Sequence, residues 1–224
     1  MTDHPTGPDQ AGQTDHAETA ARLAIPLGEA IFSQRAIRRF RPDPIADDDL
    51  RDILLAATRA PSGGNTQPWH FLVLRDRDVI ARFATLYREA WWAKRRDQGI
   101  RGPEDIPAGS GVTQSAMRLA DDIGGAPVIV LLCATAPGAG AMGSVIPAAQ
   151  NLLLAARALG IGGTITTLHA QVDEQVRALL AIPAGVQVVY CIPLGHPRGR
   201  FGPAVRRPLA EVASLDRWGQ PLEA

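Results

Sequence analysis

The stretch RAPSGGNTQPWHF at residues 59–71 decides the fold of this chain. Before it, apolar residues at helical spacing over positions 50–57 predict a helix, and the run FLVL at 71–74 predicts a buried strand. Pro61 lacks a backbone N–H and disfavours helical geometry in the residue before it, so the helix is expected to end there. The stretch is therefore predicted to be a loop between a helix and a strand.

The loop residues are small or carry hydroxyl and amide groups. Gly63 and Gly64 let the backbone approach a flat or bulky molecule closely. Ser62, Asn65 and Gln67 add hydrogen-bond donors and acceptors at short intervals, which suit the edge of a heterocycle. On their own, these residues leave open two interpretations, an ordinary glycine-rich connection and a ligand-binding loop.

A basic run, QRAIRRF at residues 34–40, precedes this loop. Four arginines crowd into it and the residue that follows, Arg41. The whole chain balances 23 basic against 23 acidic residues, so no global field favours nucleic acid or an anionic membrane, and any positive potential must be local. Such a cluster is either a solvated face or an anion-binding site.

The two motifs, in this order and about twenty residues apart, closely resemble the N-terminal half of the FMN-dependent nitroreductase family. The C-terminal half is also similar and keeps the family's order. Its matching segments are QNLLLAARALG at 150–160, GTITTL at 163–168, IPLGHP at 192–197 and RRPL at 206–209. The resemblance implies an α+β nitroreductase-like fold, with a central, mostly antiparallel sheet flanked by helices. It also implies an intertwined homodimer with FMN at its interface.

The resemblance further implies which residues bind FMN. In the family, the basic run and two arginines near the C-terminus bind the flavin phosphate, the glycine loop faces the flavin, and the threonine segment brings donors to flavin N5. The implied cofactor-binding residues are Gln34, Arg35, Ala36, Arg38, Pro61, Ser62, Gly63, Gly64, Asn65, Gln67, Thr166, Thr167, Leu168, Arg206 and Arg207. Many members have Arg and Ser where this chain has Gln34 and Ala36, so one charge and one hydroxyl are missing here.

Composition predicts the domain organisation. Residues 1–22 are polar and lack apolar periodicity, so they cannot offset their ordering entropy by burial. They are predicted to form a disordered tail, or an arm that is ordered only by a partner subunit. Residues 23–224 are predicted to form a single FMN-binding domain, with Cys133 and Cys191 as small core residues inside apolar runs. No metal-binding set of residues is visible.

A variable lid is predicted at about residues 88–115, because positions 94–114 lose helical periodicity through Gly and Pro. In the family this insertion covers the flavin and shapes the substrate pocket. Trp91 and Trp92 are therefore candidate substrate-pocket residues. Core or dimer packing is the alternative interpretation for these two side chains.

Two apolar runs in the second half complete the expected fold. Residues 126–134 are continuously apolar and predict a central strand. Residues 145–159 are apolar nearly all round, which is typical of a helix buried on all sides. In so small a domain, such a helix suggests a dimer interface.

The chemistry that the resemblance implies belongs to the cofactor, with no catalytic side chain. The first interpretation is an oxidoreductase that uses NAD(P)H to reduce nitroaromatic, quinone or related acceptors by ping-pong hydride transfer through flavin N5. One alternative is other flavin chemistry, as in the relatives that reductively dehalogenate iodotyrosine or fragment flavin to make dimethylbenzimidazole. Another is a flavin-binding protein without turnover.

The sequence does not identify the acceptor, choose NADH or NADPH, or decide between one- and two-electron chemistry. The N-terminus lacks a basic region followed by an apolar stretch, so we expect a cytoplasmic protein. Its expected partners are a second copy of the chain and a small-molecule acceptor, and neither nucleic acid nor a membrane.

Overall fold

The structure is a computed structural model that describes residues 10–222 of the 224-residue chain. Those residues form an α+β fold in which helices flank an antiparallel sheet, as predicted. The helices are α1 (Gln10–Arg22), α2 (Leu27–Ser33), α3 (Asp47–Ala57), α4 (Arg77–Arg96), α5 (Gly111–Asp122), α6 (Ala139–Ala158) and α7 (Asp173–Leu180). The strands are β1 (Trp69–Leu74), β2 (Val128–Ala134), β3 (Gly162–Gly163) and β4 (Gln187–Gly195).

The sheet has the strand order β1-β2-β4-β3, and every neighbouring pair is antiparallel. β2 lies in the interior of the sheet and is buried along its whole length, which confirms the central strand predicted from the run at 126–134. β1 begins opposite Ala134, at the end of β2, whereas β3 lies beside Leu194, which pairs with Val128 at the start of β2. The loop before β1 and the segment around β3 therefore lie at opposite ends of β2.

Alternate residues of β2 face two separate cores, because successive strand side chains point to opposite faces of a sheet. Val130 and Leu132 belong to a core that includes α3 and α6. Ile129 and Leu131 belong to a core that includes α4 and α5. Helices thus cover both faces of the sheet, and the second core supports the candidate site described below.

The two cysteines lie in the second core. Cys133 is 1% exposed and Cys191 is fully buried, and both are free thiols. Burial raises the pKa of Cys133 to about 11 and also raises the pKa of Cys191. Both side chains therefore act as the small core residues that the sequence predicts.

α6 is the long apolar helix predicted at residues 145–159, but it begins earlier, at Ala139, and contains Pro147. Burial on all sides is not seen in the single chain, since Ile146 is 50% exposed. α6 meets the length and composition criteria of a membrane span, but it packs against α3 and the sheet as a core helix does. It therefore has one face in the core and one apolar face uncovered.

The disorder predicted for residues 1–22 is wrong from Gln10 onward, since α1 occupies Gln10–Arg22. The reason is a tertiary contact. Asp52 on α3 is 2% exposed, and it accepts hydrogen bonds from the Thr19 hydroxyl and the Arg22 guanidinium. A buried carboxylate with partners on another helix anchors α1 without an apolar repeat. Residues 1–9 lie outside the described residues.

The predicted lid is more regular than the sequence suggests. α4 continues to Arg96 and α5 begins at Gly111. Within the predicted lid at 88–115, only residues 97–110 therefore lie outside these two helices. The correction has a physical reason in α5, whose apolar residues recur at helical spacing and whose Leu119 and Ala120 are buried. The glycines and prolines at 99–109 interrupt the chain only between the two helices.

Candidate functional site

A cavity of about 310 Å³ lies between α4, α5 and the segment that follows β3. It brings together residues from three segments singled out in the sequence, which are the basic run, the tryptophan pair and the threonine-rich segment. The lining residues are Arg38, Tyr87, Trp91, Lys94, Arg95, Ala116, Leu119, Ile165, Thr166, Thr167, Leu168 and Gln171. We call this the α4 cavity.

Arg38 reaches the α4 cavity because the basic run lies along the edge of β3. The backbone N–H of Ile37 donates to the carbonyl of Gly163 at 2.9 Å, and the N–H of Arg41 donates to that of His196 at 2.8 Å. Gly162 permits this approach, since a Cβ there would lie 2.7 Å from the Ile37 side chain. The run is thus bonded to the sheet on both sides of Arg38.

Thr166 is held in the cavity wall by backbone and side-chain bonds. Its N–H and carbonyl exchange two 2.9 Å hydrogen bonds with Cys191 of β4. Its hydroxyl oxygen lies 2.7 Å from the phenol oxygen of Tyr87 and accepts a longer bond, 3.4 Å, from the N–H of Leu168. The Thr166 hydroxyl is therefore already engaged within the chain. Thr167, the next residue, is exposed.

One face of α4 supplies the opposite wall. Tyr87, Trp91, Lys94 and Arg95 are spaced at i, i+4, i+7 and i+8, which places them on the same side of a helix. Trp91 is 6% exposed, and the guanidinium of Arg95 stacks 4.2 Å above its ring. Trp91 lines the α4 cavity and also packs in the second core, so its role in a substrate pocket stays a prediction.

Trp92 faces away from the α4 cavity. Its indole N–H donates to the carboxylate of Asp121 at 3.4 Å, and it lies beside Arg88, whose guanidinium is 2.8 Å from the same carboxylate. The tryptophan pair therefore divides between two sides of α4. Only one of the two side chains can contact a ligand in this cavity.

The glycine loop at residues 61–67 does not line the α4 cavity, because the N–H of Gly63 donates to the Ser144 hydroxyl of α6, on the other face of the sheet. It is mostly exposed, and three of its residues have left-handed backbone angles, Gly64 (φ 58°), Asn65 (φ 54°) and Gln67 (φ 48°). The Ser62 hydroxyl accepts a 3.1 Å bond from the N–H of Gln67, which closes the loop. A Cβ on Gly63 would meet nothing within 4 Å, so its backbone is open to an approaching molecule.

The other residues predicted to bind the phosphate lie outside the cavity. Gln34, Arg35 and Ala36 follow α2 directly. The C-terminal loop returns to this point, since the N–H of Gly202 donates to the carbonyl of Ser33 at 3.1 Å. Arg206 and Arg207 follow in the same loop and are exposed.

The four arginines predicted to bind phosphate share one property. Within residues 10–222, none of them forms an ion pair with a carboxylate. These residues are Arg35, Arg38, Arg206 and Arg207. By contrast, Arg41, next to the same run, pairs with Asp43 at 3.1 Å. Unpaired guanidinium groups are what a phosphate monoester requires, so the residues present fit FMN.

The sequence interpretation missed several cavity residues. Tyr87, Lys94 and Arg95 were not singled out, although their helical spacing from Trp91 would have indicated a shared face. Ala116 and Leu119 were missed because α5 was not predicted. The signal for α5 was the apolar spacing within Gly111–Asp122.

This fold and this arrangement define a class of protein, and comparison with known proteins identifies it. The chain belongs to the nitroreductase family, whose model matches residues 31–196. It is 31% identical to a protein named NADH dehydrogenase from Thermus thermophilus, over 82% of this chain and 92% of that protein. It is also 31% identical to the nitroreductase NfnB of Mycolicibacterium smegmatis, over 80% of this chain and 81% of that protein.

Solved structures agree with the fold. The crystal structure of oxidized iodotyrosine deiodinase bound to FMN and 3-iodo-L-tyrosine superposes with a TM-score of 0.70 at 21% identity. That match covers 87% of this chain and all of the deiodinase chain. Similarity at this level of identity establishes the nitroreductase-like fold and leaves the reaction to be argued from the residues.

Proposed function

We propose that this protein is an FMN-dependent oxidoreductase that uses NAD(P)H to reduce nitroaromatic, quinone or related acceptors. The observation that carries the proposal is the α4 cavity, which gathers Arg38, Trp91 and residues 166–168 from three distant segments of a nitroreductase-family chain. FMN, when bound, would supply the ring that takes up hydride from the nicotinamide and passes it on to the acceptor. We expect a cytoplasmic enzyme.

The residues that would hold FMN fall into two groups. Arg35, Arg38, Arg206 and Arg207 would bind the phosphate or another electron-rich group with charge-assisted hydrogen bonds. The glycine loop at 61–67 would bring open backbone and amide groups to the ring. Neither group requires a side chain to give up or accept a proton.

The separation of these groups supports a homodimer. The glycine loop is bonded to α6, whereas the α4 cavity lies on the other face of the sheet, so a second copy of the chain is the natural source of the loop that completes each site. Large apolar side chains remain uncovered on α2 and α6, among them Phe32 at 78% exposure and Ile146 at 50%. Exposed apolar surface of this kind marks an interaction surface. We infer that α2 and α6 bury it against the partner.

The cavity argues against an amino-acid substrate like that of the deiodinase. A zwitterion brings an ammonium group, which needs a carboxylate or several carbonyl acceptors when water is excluded. The lining of the α4 cavity contains Arg38, Lys94 and Arg95 but neither Asp nor Glu. An ammonium group would therefore lie among cations, and reduction of a nitro or quinone acceptor is the better-supported reaction.

The backbone bonds of residues 166–168 bear on the reactive edge of the flavin. The N–H of Thr166 is bonded to the carbonyl of Cys191, and the N–H of Leu168 is bonded to the Thr166 hydroxyl, so we propose that the N–H of Thr167 would contact flavin N5. This arrangement supports two-electron hydride chemistry.

The test begins with the absorbance spectrum of the purified protein under argon. We expect a yellow dimer, with one FMN per chain by light scattering and absorbance, that NADH or NADPH bleaches and that a nitroaromatic or quinone reoxidises. A yellow protein that neither nicotinamide bleaches would support the non-catalytic alternative. Iodide release from iodotyrosine, or loss of the bound flavin under oxygen, would support one of the other flavin chemistries.

A further inference from the structure

The α4 cavity holds three cations, Arg38, Lys94 and Arg95, and no carboxylate lines it. In the part of the chain that the structure describes, none of the three forms an ion pair. Elsewhere on α4 the usual arrangement is seen, since Arg88 pairs with Asp121 at 2.8 Å. The charge in the cavity is therefore uncompensated by the protein.

Arg95 is fixed in place rather than free in solvent. Its guanidinium stacks 4.2 Å above the ring of Trp91, and its Nη1 donates to the side-chain carbonyl of Gln98 at 2.6 Å. Its Nε is buried and has no acceptor within residues 10–222. A stacked and partly desolvated guanidinium attracts an anion more strongly than an exposed one does, since less water screens it.

Lys94 is the only lysine in a chain with 23 basic residues. It is exposed and lines the α4 cavity beside Arg95. Its ammonium is a compact charge on a flexible stem, so it can follow an anion that a rigid guanidinium holds on the other side. The two residues thus make a mobile and a fixed cation at one end of the cavity.

The rest of the lining on this side is apolar. Trp91, Ala116 and Leu119 form a surface suited to an aromatic or other flat body. The cavity therefore combines an apolar wall with adjoining cations. This is the complement of a planar molecule that carries an anionic substituent.

We propose that Lys94 and Arg95 form an anion subsite that selects electron acceptors bearing a carboxylate or a similar anionic group. The apolar wall at Trp91 and Leu119 contacts the acceptor's ring, while the two cations bind its anionic substituent. The inference rests on the proposed function and adds the class of substrate to it.

The experiment compares an anionic and a neutral acceptor of nearly the same shape, 4-nitrobenzoate and 4-nitrobenzamide, with NADH as donor and FMN-loaded protein. We expect wild type to prefer the benzoate in kcat/KM. Lys94→Gln and Arg95→Gln should each lower the benzoate-to-benzamide ratio by roughly tenfold to a hundredfold, the range for a lost charge-assisted contact. The ratio cancels any general change in activity. Arg96→Gln is the matched control, since it removes a cation from the same helix outside the cavity and should leave the ratio unchanged.

Binding without turnover provides the second readout. Isothermal titration calorimetry of oxidised, FMN-loaded protein should show that benzoate binds more tightly than benzamide, and that both glutamine variants reduce this difference. The FMN content of the variants should equal that of wild type. If neither nitro compound is reduced, the proposed function fails, but the calorimetry with benzoate still decides the subsite.

Three results would overturn the subsite. One is a wild-type benzoate preference near unity. Another is a preference that survives both glutamine substitutions. The third is a glutamine variant in which the benzoate-to-benzamide ratio is unchanged but another property changes. A changed ratio of kcat/KM for NADPH to that for NADH would mean that the two cations bind a phosphate of the nicotinamide. A changed FMN content would mean that they bind the phosphate of the flavin.

Discussion

The phenol oxygen of Tyr87 lies 2.7 Å from the hydroxyl oxygen of Thr166, and this contact joins α4 to the segment after β3. Tyr87 is 4% exposed, and burial raises its pKa to about 12 despite the opposing effect of the bond to Thr166. The phenol therefore keeps its proton at working pH and can donate to Thr166. Thr166 is partly buried and lines the α4 cavity.

This contact predicts an asymmetric double-mutant cycle. Thr166→Val should lower the free energy of unfolding by roughly 1–3 kcal/mol, because it leaves a buried phenol without a partner. Tyr87→Phe should cost less, since the Thr166 hydroxyl can turn to water in the cavity. In urea unfolding, the double variant should lose less stability than the sum of the single variants. Strictly additive losses would show that the two groups are not coupled.

The phosphate assignment predicts weaker cofactor binding in three variants. Arg38→Ala, Arg206→Ala and Arg207→Ala should each raise the Kd of FMN roughly tenfold to a hundredfold, the effect of losing a charge-assisted bond worth about 1.5–3 kcal/mol. Titration of the apoprotein with fluorescent FMN measures this. Arg41→Ala is the control, since Arg41 already pairs with Asp43. Unchanged affinity in all three variants would disprove the assignment.

The two departures from the family's basic run give a complementary prediction. The double variant Gln34→Arg with Ala36→Ser restores one charge and one hydroxyl where the resemblance places the flavin phosphate. We expect FMN affinity to rise or stay the same, since both residues lie at the end of α2, outside the cores. A large loss of affinity in the same titration would mean that these positions do not face the phosphate.

The anchoring of α1 predicts a local loss of stability. Asp52→Ala removes the acceptor for Thr19 and Arg22 and should destabilise the fold by roughly 1.5–3 kcal/mol. Hydrogen exchange should show faster exchange within α1 than in wild type. Asp48 is exposed in the first turn of α3, the helix that also carries Asp52, and Asp48→Ala should leave exchange in α1 unchanged. Equal exchange in both variants would contradict the anchoring role.

His169 predicts a stability that falls on acidification. It is 1% exposed, its Nε2 lies 3.2 Å from the carbonyl of Val188, and burial lowers its pKa below the ordinary 6.5. As the pH falls, His169 therefore binds a proton in the unfolded chain at a higher pH than in the folded chain. The free energy of unfolding should fall below pH 6.5 by up to about 1.4 kcal/mol per pH unit.

Urea unfolding at pH 7.5 and 5.5 should show a smaller acid loss for His169→Gln than for wild type. His70→Gln, at an exposed position on β1, is the matched control and should behave as wild type. The prediction is wrong if the acid loss is the same in the His169 variant and in wild type.

The sequence predicts best where local pattern and burial coincide. The run at 126–134 is β-branched and apolar, so it predicts β2, and the resemblance points to Arg38 and Thr166. α1 could not be predicted, because its anchor is a carboxylate 33 positions from Thr19 along the chain. Local propensity carries no information about such a contact.

The role of Lys94 and Arg95 could not be predicted from the sequence for a related reason. Lys94 and Arg95 were assigned to an irregular lid, and their role depends on how α4 is rotated against α5 and the segment after β3. Likewise, the sequence groups the glycine loop with the basic run, whereas the fold places the loop against α6 and the α4 cavity on the other face of the sheet. Proximity along a motif does not decide which residues share a cavity.

Because Cys133 and Cys191 are buried, the native thiols should react only slowly with labelling reagents. A protonated, enclosed thiol reacts slowly with maleimides and methanethiosulfonates. A cysteine introduced at Gly63, where a side chain meets open space, would carry the label alone. In a dimer, nitroxide labels at this position would report the distance between the two glycine loops by pulsed electron paramagnetic resonance. The two native cysteines could stay in the core.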